Sequence, residues 1–152
     1  MGDEFTHLDA GGNARMVDVS GKPRVRRSAK AEGRILLAPA TIAKIHGNEI
    51  AKGNVLATAR IAGIMGAKRC SDLIPLCHNI EIEHVAVDFA IGDGEIAISA
   101  RALCTDKTGI EMEALMAVSV AALTIYDMCK PVDKTMRIEG IHLVEKTKER
   151  LS

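Results

Sequence analysis

At 152 residues the chain fits one domain able to bury roughly two thirds of its unfolded surface, so no second core is needed. Lysine plus arginine and aspartate plus glutamate number 20 each, leaving no net field to draw in nucleic acid or an anionic membrane. Phe5, Phe89 and Tyr126 are the only aromatic residues, too few for a base-stacking platform, which disfavours nucleic-acid binding.

Cys70, Cys77, Cys104 and Cys129 form no CxxC pair and sit in aliphatic or helical stretches, the pattern of reduced core thiols in a cytosolic protein. The first twelve residues carry neither the basic nor the apolar region of a leader, and no stretch combines the length and freedom from charge of a bilayer span. A soluble, cytoplasmic protein is expected. Gly2 to Thr6 fits a loose acylation pattern, but one acyl chain binds membranes marginally and no basic cluster adjoins it, so the match is taken as chance.

Residues 1–21, rich in glycine and Asx, predict a mobile N-terminal arm; residues 22–152 form the single folded domain. From Val25 to Leu37 apolar and polar residues alternate with one exception, predicting a strand. Lys22 to Arg34 holds six basic residues against one acid. That strip reads either as phosphate-facing or as a charged edge strand that resists unwanted pairing. Pro39 opens a short helix through Ile45 that ends near Gly47 and Asn48.

Asn54 is a good cap for a second helix, whose Ala59, Ala62, Gly63 and Gly66 make a face able to approach another element closely. Gly63, Gly66 and Lys68 fall inside the helical pattern and lack Walker A spacing, so they are no phosphate loop. Cys70 to Asn79, CSDLIPLCHN, breaks the period and predicts an apolar loop, with Pro75 pushing Ile74 toward an extended conformation. His78 on this loop suits acid or base work, since histidine titrates near neutrality, or a structural role; its pairing with Cys77 is poor evidence for zinc.

Strands follow over Ile80–Ile91 and Glu95–Cys104, joined by the hairpin signal Gly92-Asp93-Gly94. His84 reads as a solvated strand residue. The stretch Ile110 to Lys130 is apolar on nearly every face and predicts a helix enclosed by other structure, with its charges confined to the ends. Asp127 and Lys130, three apart, share one side of its last turn, where they can meet one ligand or form an ion pair. The last strand runs from Met136 to about Lys146 and carries His142 with no visible partner.

This order is the split βαβ order of a ferredoxin-like α+β sandwich, an antiparallel sheet with helices on one face. Leu36, Leu37, Leu143 and Val144 put apolar groups on both sides of the first and last strands, favouring a partner subunit over the other face.

The strings FTHLD, RMVDVS, KGNVLATARIAGI, GAKR, DLIPLCH, KTGIEMEAL and ALTIYDMCK, in this order from Phe5 toward Val144, resemble the cyclic pyranopterin monophosphate synthase family of molybdenum cofactor biosynthesis. Two positions depart from the family pattern: Asn79 stands where proline is usual, and Asn54 where aspartate is common. The resemblance implies a ferredoxin-like homohexamer with sites at subunit contacts. It also implies a lyase that rearranges 3',8-cyclo-7,8-dihydroguanosine 5'-triphosphate to cyclic pyranopterin monophosphate and releases diphosphate. Carried over by motif, Asp127 is the active-site acid, Lys52 and Lys130 are lysines of the chemistry, and Leu76, Cys77, His78, Met112 and Glu113 are substrate-binding positions. Lys68, Arg69 and the basic strip are further cations for phosphate.

No dedicated metal cage is visible in the sequence, although a triphosphate can bring Mg²⁺ with it. The alternative is a non-catalytic, nucleotide-binding regulatory domain of the same fold, which would bind without turnover.

Overall fold

The computed structural model describes residues 7–151, so Gly2 to Thr6 with its acylation-type pattern lies outside the described residues. Four strands form one antiparallel sheet: β1 (Val25–Leu36), β2 (Ile82–Ile91), β3 (Glu95–Asp106) and β4 (Arg137–Glu149), in the order β2-β3-β1-β4. The helices are α1 (Pro39–His46), α2 (Val55–Lys68), the single turn α3 (Cys70–Leu73) and α4 (Glu111–Cys129). This is the ferredoxin-like arrangement expected, with α4 on β1 and β3 and with α2 beside it.

Small residues let these layers close. Ala29 and Ala31 of β1 lie opposite Ala102 and Ala100 of β3, and all four are buried beneath α4 with its Ala114, Ala117 and Ala121. A side chain at Gly63 would stand 2.8 Å from the Ala117 carbonyl oxygen, so α2 and α4 approach to backbone contact only because that position is bare. Asn54 caps α2 as expected, its Oδ1 accepting from the Ala57 N–H at 2.9 Å.

The first helix is capped from a distance. Ala38 has no capping side chain, and Asp133, beyond α4, supplies the acceptor: its Oδ2 takes the Ala38 N–H at 2.8 Å and the Thr41 hydroxyl at 2.9 Å. Its Oδ1 takes the Thr135 N–H and hydroxyl. Burial pushes this carboxyl up, but the donors from Ala38, Thr135 and Thr41 outweigh it and hold it at about 2. Asp133→Ala leaves those donors without an acceptor and should cost about 2–4 kcal/mol, read as a lower urea midpoint at unchanged slope. Because the folded value lies below the unfolded one of about 3.9, the contribution is complete above that pH and lost as pH falls through about 2. The stability gap between wild type and Asp133→Asn should therefore close over that acid window.

Several expectations are corrected. β1 lies between β3 and β4, so the basic strip is not a charged edge strand. Cys70–Asn79 begins with the helical turn α3 rather than as loop throughout, because the Ile74 N–H still reaches the Cys70 carbonyl. β2 starts at Ile82, while β3 and β4 run on to Asp106 and Glu149.

The open face of the sheet is polar rather than apolar. Arg26, Lys30, Glu32 and Arg34 of β1 alternate with core residues, and ion pairs join Lys30 to Glu32 at 2.7 Å and Arg34 to Glu139 at 3.3 Å. Leu37 and Leu143 pack with the core, leaving Val144 exposed. Nor is α4 enclosed all round: the sheet and α2 cover only part of its surface, so Leu123 is 59% exposed, and Ile61 and Met65 of α2 are exposed as well. By length and composition α4 is apolar enough to cross a bilayer, contrary to expectation, but about half of its apolar stretch is buried within the domain.

The cysteines are free thiols, with Cys70, Cys104 and Cys129 buried and Cys77 half-buried. Burial, joined by nearby carboxylates, pushes Cys70 up to about 12 and Cys104 to about 11, which keeps both as inert neutral thiols.

Candidate active site

One cluster forms at the C-terminal end of α4. Asp127 projects from the last turn, and each of its carboxylate oxygens receives its own ammonium: Oδ1 from Lys130 at 2.8 Å and Oδ2 from Lys52 at 2.9 Å. Lys52 also donates to the Asp127 main-chain carbonyl at 2.8 Å. It is delivered by the connection between α1 and α2, where Gly53, at φ +104, takes a left-handed turn closed to most side chains.

Hydrogen bonds from Lys130 first and Lys52 second hold the Asp127 carboxyl at about 2, and the same contact pushes Lys130 up. At neutral pH the group is thus one carboxylate between ammonium groups, with a net positive charge. The carboxylate can accept hydrogen bonds or a proton but has none to donate; Lys130 can donate. All three side chains are substantially exposed, Asp127 at 56%, so the cluster is open to a ligand.

The predicted substrate-binding residues other than Lys68 gather at the opposite end of the helix. Leu76, Cys77, His78, Met112 and Glu113 line one cavity of about 320 Å³, together with Val17, Val19 and Lys22 from the N-terminal segment. His78 Nε2 donates to the Val17 carbonyl at 2.6 Å, which places a proton on that nitrogen and pins the segment over the cavity. Glu113 is only 3% exposed, and burial pushes its carboxyl up toward the neutral form. Glu111, on the same turn, pairs with Lys146 at 3.2 Å.

Glu113 and Asp127 lie fourteen positions apart on this helix, roughly 21 Å along the axis. The two groups of residues therefore do not meet within one chain. Lys68 and Arg69 are exposed at the end of α2 and line neither the cavity nor the lysine–carboxylate cluster. His84 is an exposed strand residue as expected, whereas His142 does have a partner, its Nδ1 donating to the Gly140 carbonyl at 2.6 Å.

Lys146 was not singled out from sequence. It lines a smaller cavity of about 190 Å³ with Arg27, Ser28 and Lys148 beside the first turn of α4. A lysine alternating along a strand gives no signal of such a neighbour. Among the described residues no three His, Cys, Asp or Glu side chains converge as metal ligands.

A ferredoxin-like sandwich with a lysine–carboxylate cluster at one end of its central helix and an acid-containing cavity at the other defines a small-molecule-binding α+β protein. Comparison with known proteins narrows this class. The model of the MoaC family matches residues 16–149, and the chain belongs to that family.

The chain is 54% identical over 146 residues to cyclic pyranopterin monophosphate synthase of Chloroflexus aggregans, covering 95% of this chain and 88% of that protein. Against cyclic pyranopterin monophosphate synthase of Streptomyces coelicolor the identity is 53% over 145 residues, covering 95% and 85%. It is also 59% identical over 144 residues to a molybdenum cofactor biosynthesis bifunctional protein of Chlorobaculum tepidum, covering 95% of this chain but spanning only 46% of that relative.

Proposed function

We propose that this protein is a cyclic pyranopterin monophosphate synthase, a lyase of molybdenum cofactor biosynthesis acting in the cytoplasm as a homohexamer. The observation that carries this reading is the carboxylate of Asp127 held between Lys52 and Lys130, in a chain more than half identical to synthases over nearly its whole length.

The substrate is 3',8-cyclo-7,8-dihydroguanosine 5'-triphosphate. Opening its guanine imidazole and rebuilding a pterin ring require several proton transfers, each of which a positioned group accelerates by roughly 10² to 10⁴. Lys130 and Lys52 act as ammonium donors, and Asp127 orients them and receives hydrogen bonds from the substrate. Closing the cyclic phosphate needs a sugar hydroxyl to attack the α-phosphorus while diphosphate leaves, and cations offset the charge that builds up. Leu76, Cys77, His78, Met112 and Glu113 bind the substrate.

Exposed Leu123, Ile61 and Met65 on the helices support self-association, because apolar side chains of this size are better covered by a second copy. Release of diphosphate from the cyclised nucleotide by the purified protein tests the reading; saturable binding without release would identify a regulatory binder instead. Affinity for a substrate analogue should also fall as salt rises, since exposed charges are screened beyond roughly 10 Å at 0.1 M. Calorimetric titration at two ionic strengths checks this, and an affinity indifferent to salt would assign binding to the ring system.

A further inference from the structure

Two clasps fasten the segment from Ala38 to Lys52 to one short stretch of chain. At its far end Lys52 donates to the Asp127 carboxylate and main-chain carbonyl, at 2.9 and 2.8 Å. At its near end the Ala38 N–H and the Thr41 hydroxyl donate to Asp133, only six positions beyond Asp127. The Asp133 N–H in turn donates to the carbonyl of Cys129, the buried last residue of α4, at 3.0 Å. Asp133 therefore ties the helix end that bears Asp127 and Lys130 to the segment that brings Lys52.

The two clasps differ in strength. The side chains of Lys52 and Asp127 are 41% and 56% exposed, and an ion pair so open to water fixes geometry weakly. Asp133 is 5% exposed and its carboxylate takes four donors, charge-assisted bonds that burial strengthens. Little else holds α1. Only Thr41 and Ile42 of its eight residues are buried, and no other helix or strand among the described residues shares an extended contact with it. Its C-terminal end runs into the Lys52 turn without slack: the Glu49 N–H donates to the Lys44 carbonyl at 2.8 Å and the Gly53 N–H to the Ile50 carbonyl at 2.9 Å. A shift of α1 is thus passed on to Lys52.

We propose that Asp133 is a positioning residue: by fastening α1 to the end of α4, it sets the Lys52 ammonium against the Asp127 carboxylate and so prepares the cluster for turnover. Its carboxylate faces Ala38, Thr41 and Thr135, so it acts through Lys52 rather than on the substrate. The inference rests on the synthase reading for the reaction itself, while the placement of Lys52 is judged without it.

Asp133→Asn keeps the shape of the side chain but turns one acceptor into a donor. With folding verified by circular dichroism, kcat for the cyclised GTP derivative should fall about tenfold to a hundredfold, the cost of a small misplacement of a reacting group. In a Lys52→Ala background the same change should lower kcat by less than about twofold, because its route to the reaction is already gone, whereas a loss independent of Lys52 would multiply. A second readout needs no substrate. Acetylation of Lys52 by acetic anhydride at neutral pH, followed by mass spectrometry, should rise in Asp133→Asn toward its level in Asp127→Ala, with Lys148 as an unchanged control. If wild type turns nothing over, the synthase reading falls and Lys52 labelling alone judges Asp133. If Asp133→Asn does not fold, Thr41→Val, which removes one donor and leaves the carboxylate, should move both quantities the same way by a smaller factor. A folded variant with wild-type kcat or wild-type Lys52 labelling, or losses that multiply across the Lys52→Ala background, overturns the proposal.

Discussion

Replacing Asp127 or Lys52 by alanine is expected to lower turnover by about 10² to 10⁴ while leaving the fold unchanged. The two effects belong together because the groups form one unit: the Asp127 carboxylate fixes both ammonium groups within 2.9 Å, and Lys52 reaches across to it from another element. Without Asp127 the lysines repel each other and lose their common anchor. Without Lys52 the carboxylate keeps only Lys130. The side chains are 41% to 56% exposed, and exposed ion pairs contribute little to stability, so circular dichroism and the melting transition should barely move. The double variant should cost much less than the product of the single losses. Diphosphate release by the purified variants decides the matter, and near-wild-type turnover in either would remove that residue from the mechanism.

Glu113→Ala and Asp127→Ala chains, each inactive alone, should regain activity when mixed in one oligomer. The two residues lie 14 positions apart on α4, roughly 21 Å along its axis, too far to contact one compact ring system from the same chain. A two-fold contact that brings the first turn of one α4 beside the last turn of another would unite them. Under random assembly about a quarter of such shared sites recover both native residues, whereas a site within one chain recovers none. Co-expressed, differently tagged chains isolated as mixed oligomers supply the measurement. A mixture as inactive as its parents, with subunit mixing confirmed by mass, would mean that the substrate lies extended along a single chain.

The sequence by itself determined the order of elements, and with it the fold class. Alternation from Val25 onward, the Gly92-Asp93-Gly94 hairpin and the Asn54 cap are local signals, each decided by a few neighbouring residues. It also singled out the residues that now lie in two groups, because Asp127 and Lys130 sit one helical turn apart, and the remaining positions fall in recognisable strings.

Only the tertiary structure decided how these residues combine. Lys52 joins Asp127 across 75 positions, and Asp133 caps a helix 95 positions back, pairings that no periodicity records. The fate of the basic strip was equally hidden. A run of cations reads as one feature in the chain, yet a strand sends alternate side chains to opposite faces and a turn aims the next elsewhere. Lys22 thus enters a cavity while Lys30 and Arg34 are spent in surface pairs. The helix α4 shows the same limit: its hydrophobicity is local, but which side meets the sheet and which remains open follows from the two-layer packing of the whole domain.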